Sequence, residues 1–167
     1  MSRRYAILLL ALVWIVGLLY FPLPHLAVED AHGQLVWQPF LGLERRFSLR
    51  YRHSVQKTLC WEDFIVGENG DLVLVATRYE SLGVGLPFAV GEGQLLNKEG
   101  QFHLTGLNRH FPDLVLRAMP VAEQALVVRG RTYKFNDSFA PGAKIKLRAK
   151  DLSLLQLLRY KLSKGEG

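Results

Sequence analysis

Between Tyr5 and Val28 the chain carries no Asp, Glu, Lys or Arg. Within that stretch Ala6 to Phe21 is almost entirely Leu, Ile, Val, Ala and aromatic residues. A bilayer-spanning helix needs about 20 predominantly apolar residues. Tyr5 to Leu26 meets that need if Pro22 and Pro24 sit near the far interface, where a helix ends and its freed backbone groups meet water. Tyr20 and Phe21 suit the same interface. Arg3 and Arg4 precede the stretch, and Glu29 and Asp30 follow it. Positive charge is retained on the cytoplasmic side, so the N-terminus is expected inside and the rest of the chain outside. The expected location is the inner membrane, single-pass, with a periplasmic or otherwise extracytoplasmic body. Two rivals exist. A cleaved signal peptide wants small residues at −3 and −1, and His25 or Glu29 would occupy −3 after cleavage at Ala27 or Ala31. A buried core helix would have to be wrapped on every side by a β-rich neighbour.

Charge divides the remainder. Residues 29–128 hold 9 basic and 12 acidic side chains, whereas residues 129–167 hold 10 basic and 3 acidic. A basic tail on a near-neutral body points to an anionic surface. Outside the cytoplasm that surface is lipid rather than nucleic acid, and a simply solvated face is the competing reading. One cysteine, Cys60, excludes an internal disulfide framework and a multi-cysteine metal knot.

The expected organisation is an anchor over residues 1–28, a β-domain over 29–150 and a basic C-terminal helix over 151–167. From Arg46 the sequence alternates: Phe47, Leu49, Tyr51 and His53 share one face, and Arg46, Ser48, Arg50 and Arg52 the other. Leu59 to Val66 and Leu72 to Tyr79 read as the next strands, joined through Gly67-Glu68-Asn69-Gly70, a strong hairpin signal. Further strands are expected at 34–38, 102–107, 114–118, 126–129, 131–135 and 144–149. Strands so short and closely spaced form a small antiparallel β-sandwich or barrel. With Asp151 as N-cap, the leucines from Leu152 to Leu162 form the C-terminal helix.

One inference concerns pairing. If Gln56-Lys57-Thr58-Leu59 is a four-residue loop, Val55 faces Cys60, His53 faces Glu62 and Tyr51 faces Phe64. A two-residue Asn69-Gly70 loop sets Glu62 opposite Thr77, with Tyr79 and Ser81 continuing that face. The result is a polar row of His53, Glu62 and Thr77 flanked by Tyr51 and Tyr79. A buried carboxylate requires a partner, so the row serves either as a self-satisfied structural network or as a contact for a ligand or protein partner. One His and one Glu fall two ligands short of a metal site. A hydrolytic pair of His53 and Glu62 lacks a nucleophile and a metal. No cofactor is expected, and the function is expected to be non-catalytic. After the third strand, Gly83, Gly85, Leu86 and Pro87 mark a sharp reversal with exposed backbone rather than a phosphate loop.

Together the strings Phe47-Ser48-Leu49-Arg50-Tyr51-Arg52-His53-Ser54-Val55, Glu62, Thr77-Arg78-Tyr79-Glu80-Ser81 and Gly83-Val84-Gly85-Leu86-Pro87 resemble the bacterial family designated domain of unknown function 1850. Leu107-Asn108-Arg109 and Leu114-Val115-Leu116-Arg117 are similar to it as well. The resemblance covers about Phe47 to Leu147 and departs at Leu59-Cys60. It implies genomic company rather than biochemistry, since members are often encoded beside TAXI-type tripartite (TRAP) transporters. The expectation that follows is an accessory subunit contacting the TRAP permease, its substrate-binding protein, or both. The contact surface would be Tyr51, His53, Ser54, Glu62, Thr77, Tyr79, Ser81 and the Gly83–Pro87 loop. The alternative is an extracytoplasmic module that binds a small solute or metal on the His53, Glu62 and Tyr79 face.

Overall fold

The structure, a computed structural model, describes residues 3–53, 57–80, 93–98 and 100–165. These divide into two compact units, one of residues 1–24 with 151–167 and one of residues 25–150.

The first unit contains helix α1 (Arg3–Tyr20) and helix α2 (Leu154–Gly165). α1 is long and apolar enough to cross a membrane, and none of it is buried. At 1.5 Å per residue its 18 residues extend about 27 Å. It stops at Tyr20, earlier than the charge-free stretch suggests. Pro22 and Pro24 cannot continue a helix, and Pro22–Glu29 is instead strand β1. Leu26, Ala27 and Val28 are fully buried in protein, and the acid expected to flank the membrane span, Glu29, is 4% exposed.

The second unit is mainly β, with two short 3-10 helices at Pro120–Ala122 and Phe135–Asp137. The remaining strands are β2 (Leu35–Trp37), β3 (Arg46–Arg52), β4 (Leu59–Val66), β5 (Leu72–Tyr79), β6 (Gln94–Lys98), β7 (Gln101–Phe111), β8 (Leu114–Arg117), β9 (Ala125–Val128), β10 (Arg131–Lys134) and β11 (Lys144–Ser153). They form a four-stranded sheet in the order β2-β1-β11-β8 and a seven-stranded sheet in the order β10-β9-β3-β4-β5-β7-β6. The architecture is thus two antiparallel sheets rather than a closed barrel. One core lies between them. Leu26, Val28, Ile145 and Leu147 come from the smaller sheet, and Phe47, Leu49, Phe64, Leu72 and Leu104 from the larger. Phe47 and Phe64 stack with ring centroids 5.0 Å apart, and Trp37 packs on Phe135 and Phe139. β1 and β11 are also tied by an ion pair in which Arg148 Nε donates to Glu29 Oε1 at 3.0 Å.

The first hairpin has a different register from the expected one. Tyr51 pairs with Cys60, Leu49 with Glu62 and Phe47 with Phe64. The chain reverses sooner because Lys57 adopts a left-handed backbone, with φ at 55°. Its N–H donates to the His53 carbonyl at 2.8 Å, and the His53 N–H donates to the Thr58 carbonyl at 2.8 Å. His53 therefore stands opposite Thr58 rather than Glu62. The displacement is an even number of residues, so every side chain stays on its expected face.

The second hairpin meets the expected pairing by a different route. Gly67 N–H donates to the Asp71 carbonyl at 2.9 Å, which leaves a three-residue loop closed by Gly70 at φ 87°. Near the turn Phe64 faces Leu74, while beyond it Asp63 faces Ala76, so Val75 is the extra residue of a β-bulge. The longer loop and the bulge offset each other, and Glu62 stands opposite Thr77.

At the C-terminus the cap is Ser153 rather than Asp151. Its hydroxyl accepts the Gln156 N–H at 3.3 Å, and its own N–H donates to Gln156 Oε1 at 2.8 Å. This reciprocal pair ends β11 and starts α2.

Candidate functional site

Alternation along β3 and β4 sends Leu49, Tyr51 and Glu62 to the inner side of the seven-stranded sheet. Tyr51 and Glu62 are diagonal neighbours across the strand pair, and the Tyr51 hydroxyl donates to Glu62 Oε1 at 3.2 Å. Cys60 and Tyr79 pair beside them and are buried, as is Thr77 opposite Glu62. The row foreseen in the sequence is present as Tyr51, Glu62, Thr77 and Tyr79, with His53 displaced towards the turn.

Only part of this row meets open space. A cleft of about 330 Å³ is lined by Leu49, Tyr51, His53 and Glu62 on one side. Leu116, Met119, Ala122, Gln124 and Phe135 line it from β8, the following connection and the residue after β10. The Gln124 carboxamide oxygen accepts the Met119 N–H at 2.9 Å, which holds the connection in shape. Thr77 and Tyr79 do not line the cleft and sit inside the sandwich. Ser54, Ser81, Gly83, Gly85, Leu86 and Pro87 lie outside the described residues.

Burial sets the electrostatics. It pushes the Glu62 carboxyl above the usual carboxylate range, against the opposing pull of the Tyr51 hydrogen bond and the Arg109 charge. It pushes Tyr51 far above the ordinary phenol range, and the neighbouring Glu62 adds to the effect. Cys60 is raised by burial and then by Glu62 and Glu80, and Tyr79 by burial and then by Cys60. Such a thiol stays protonated and is a poor nucleophile. The chemistry on offer is recognition: an apolar wall, a phenol and a carboxyl whose charged form is held under strain by its surroundings. Among the described residues no group of three His, Cys, Asp or Glu side chains is arranged to hold a metal.

The opposite face of the same strands is polar. Asp63 accepts from Ser48 Oγ at 2.6 Å and from Arg78 Nε at 2.9 Å, and the Arg78 guanidinium lies over the Trp61 ring at 5.5 Å. Arg50 is the cross-strand neighbour of Trp61, and its Nε is buried without an acceptor among the described residues. Arg52 is engaged by Glu123 at 3.2 Å and by the Lys57 carbonyl at 2.6 Å. The even-numbered basic residues of β3 were legible in the alternation. The placement of Arg50 opposite Trp61 required the register.

Residues 47–135 match the family described as domain of unknown function (DUF1850). Neither a curated protein nor a solved structure matches the chain. The matched segment runs from the start of β3 through Phe135 and contains every residue that lines the cleft. It spans more than half of the 167 residues, and the chain belongs to the DUF1850 family.

Proposed function

We propose that this protein is a membrane-anchored, non-catalytic accessory subunit of a TAXI-type TRAP transporter, held in the inner membrane by α1 with its β-domain in the periplasm. The observation that carries the reading is α1 itself, an exposed apolar helix of 18 residues with Arg3 and Arg4 at its start. β1 begins at Pro22, two residues after the helix ends. A short tether raises the effective concentration of the β-domain near other membrane components to the millimolar range, about enough for weak contacts to persist. The genomic company implied by the family resemblance selects the transporter permease and its substrate-binding protein as partners. The outward Arg50, Trp61 and Arg78 group has the composition of an interface anchor, which makes it a stronger contact candidate than the buried Thr77 and Tyr79. Co-expression with the neighbouring transporter genes and purification in mild detergent tests this. The permease or binding protein should co-elute, and recovery of the β-protein alone would refute it.

A second reading rests on the cleft. Its volume and mixed lining suit a small amphiphilic solute whose polar end meets Tyr51 and Glu62. Under this reading Tyr51→Phe and Glu62→Gln reduce solute uptake while the complex still assembles. Unchanged uptake in both variants removes the cleft from the account.

A further inference from the structure

α2 follows directly from β11 through the Ser153 cap, so its first turn is fixed. Leu154, Leu158 and Leu162 recur at four-residue spacing and form one stripe along its surface. They are 37, 46 and 71% exposed, respectively. Leu155, Leu157 and Tyr160 are less exposed, and α2 contacts α1 within the same compact unit. The stripe is therefore an apolar surface next to a second one, because α1 exposes Leu8, Leu12, Ile15 and Leu18 along its length.

Water is a poor solvent for three leucines in line, and no protein element among the described residues covers them. The neighbouring α1 identifies the medium that does. α2 has 12 residues, about 18 Å of helix, which falls well short of the ~30 Å hydrocarbon core. Its sequence carries Arg159, Lys161 and Lys164 and no acid. A helix of this length with an apolar stripe and basic residues lies in the interface plane rather than crossing it.

We propose that α2 is a second membrane contact, an interfacial helix that rests beside the anchor with Leu154, Leu158 and Leu162 in the headgroup–acyl boundary. This rests on reading α1 as the membrane span, and it adds a function for the tail. The anchor and the interfacial helix together would restrict rotation of the unit about the membrane normal, which a single span leaves free.

The test uses the full-length protein in phosphatidylglycerol–phosphatidylcholine nanodiscs. Nitroxide labels are placed singly at Leu8, Gln156, Leu158, Arg159 and Leu162 in a Cys60→Ala background, and accessibility to oxygen and to a water-soluble nickel complex is compared. Labels at 158 and 162 should shift to the oxygen-rich, nickel-poor ratio of the label at 8, while those at 156 and 159 keep the aqueous ratio. Aqueous values at 158 and 162 with a lipid value at 8 overturn the proposal and leave the anchor intact. An aqueous value at 8 overturns the anchor reading itself. Lipid values at all four α2 positions overturn the interfacial placement, since the polar side would then be submerged. Circular dichroism of each labelled variant confirms that the fold is retained.

Discussion

Replacing Glu62 with Gln should stabilise the β-domain at neutral and alkaline pH. The carboxyl is half-buried and, among the described residues, receives one hydrogen bond, from the Tyr51 hydroxyl at 3.2 Å, which a Gln carbonyl accepts equally well. What the substitution removes is a charge that burial disfavours. Burial raises the folded-state value of this group above its unfolded value. Across the interval between the two, the folded chain holds a proton that the unfolded chain has released. Stability therefore falls as pH rises through that interval and is greatest below it. A partly desolvated, singly bonded carboxylate costs about 1 kcal/mol, the low end for an undersatisfied polar group. For a β-domain of this size that corresponds to roughly 4 °C in Tm. Thermal unfolding monitored by tryptophan fluorescence should show Glu62→Gln about 4 °C above the parent at pH 8. The difference should close by about pH 4, where the parent carboxyl is protonated. A variant less stable than the parent at pH 8 would show that the attraction of Arg109 outweighs burial, and a difference that does not change with pH would show that the charge is not its source.

Two further substitutions probe the frame that positions the cleft. Arg148→Met leaves the Glu29 carboxylate buried without its partner and should cost about 3 kcal/mol in chemical denaturation. The Glu29→Met, Arg148→Met double variant should recover most of that loss. Gly93→Ala drives a methyl group into the Thr105 carbonyl oxygen at a backbone φ of 73°, so it should cost about 3 kcal/mol and loosen the β6 edge in hydrogen exchange.

The strands of the larger sheet were legible where one face is core and the other is polar. In β3 and β4 the alternation around Phe47, Leu49 and Phe64 assigns both strands and both faces. Register was harder, because it depended on a left-handed Lys57 and an extra residue at Val75, neither of which has a local signature. β1 was concealed for another reason. Leu26-Ala27-Val28 is equally suited to lipid and to a protein core, and only the position of the prolines separates the two. The Ser153–Gln156 capping box was readable in principle but was masked by Asp151, a residue equally favoured at an N-cap. The Tyr51 and Glu62 side of the cleft followed from strand parity. Its far wall, from Leu116 to Phe135, is brought in by tertiary packing and has no local trace in the sequence.

Everything proposed about partners depends on α1 lying in the bilayer with the β-domain outside. Leu43 is 89% exposed on the β-domain, and the native Cys60 is buried, so Leu43→Cys supplies one reactive thiol on a quiet background. Cells expressing the full-length variant are treated with a membrane-impermeant maleimide before and after lysis, and their membranes are then extracted with alkaline carbonate. The account predicts full labelling in cells whose inner membrane is intact, with the labelled, full-length protein remaining in the pellet. Labelling only after lysis, or a full-length product in the soluble fraction, would contradict it.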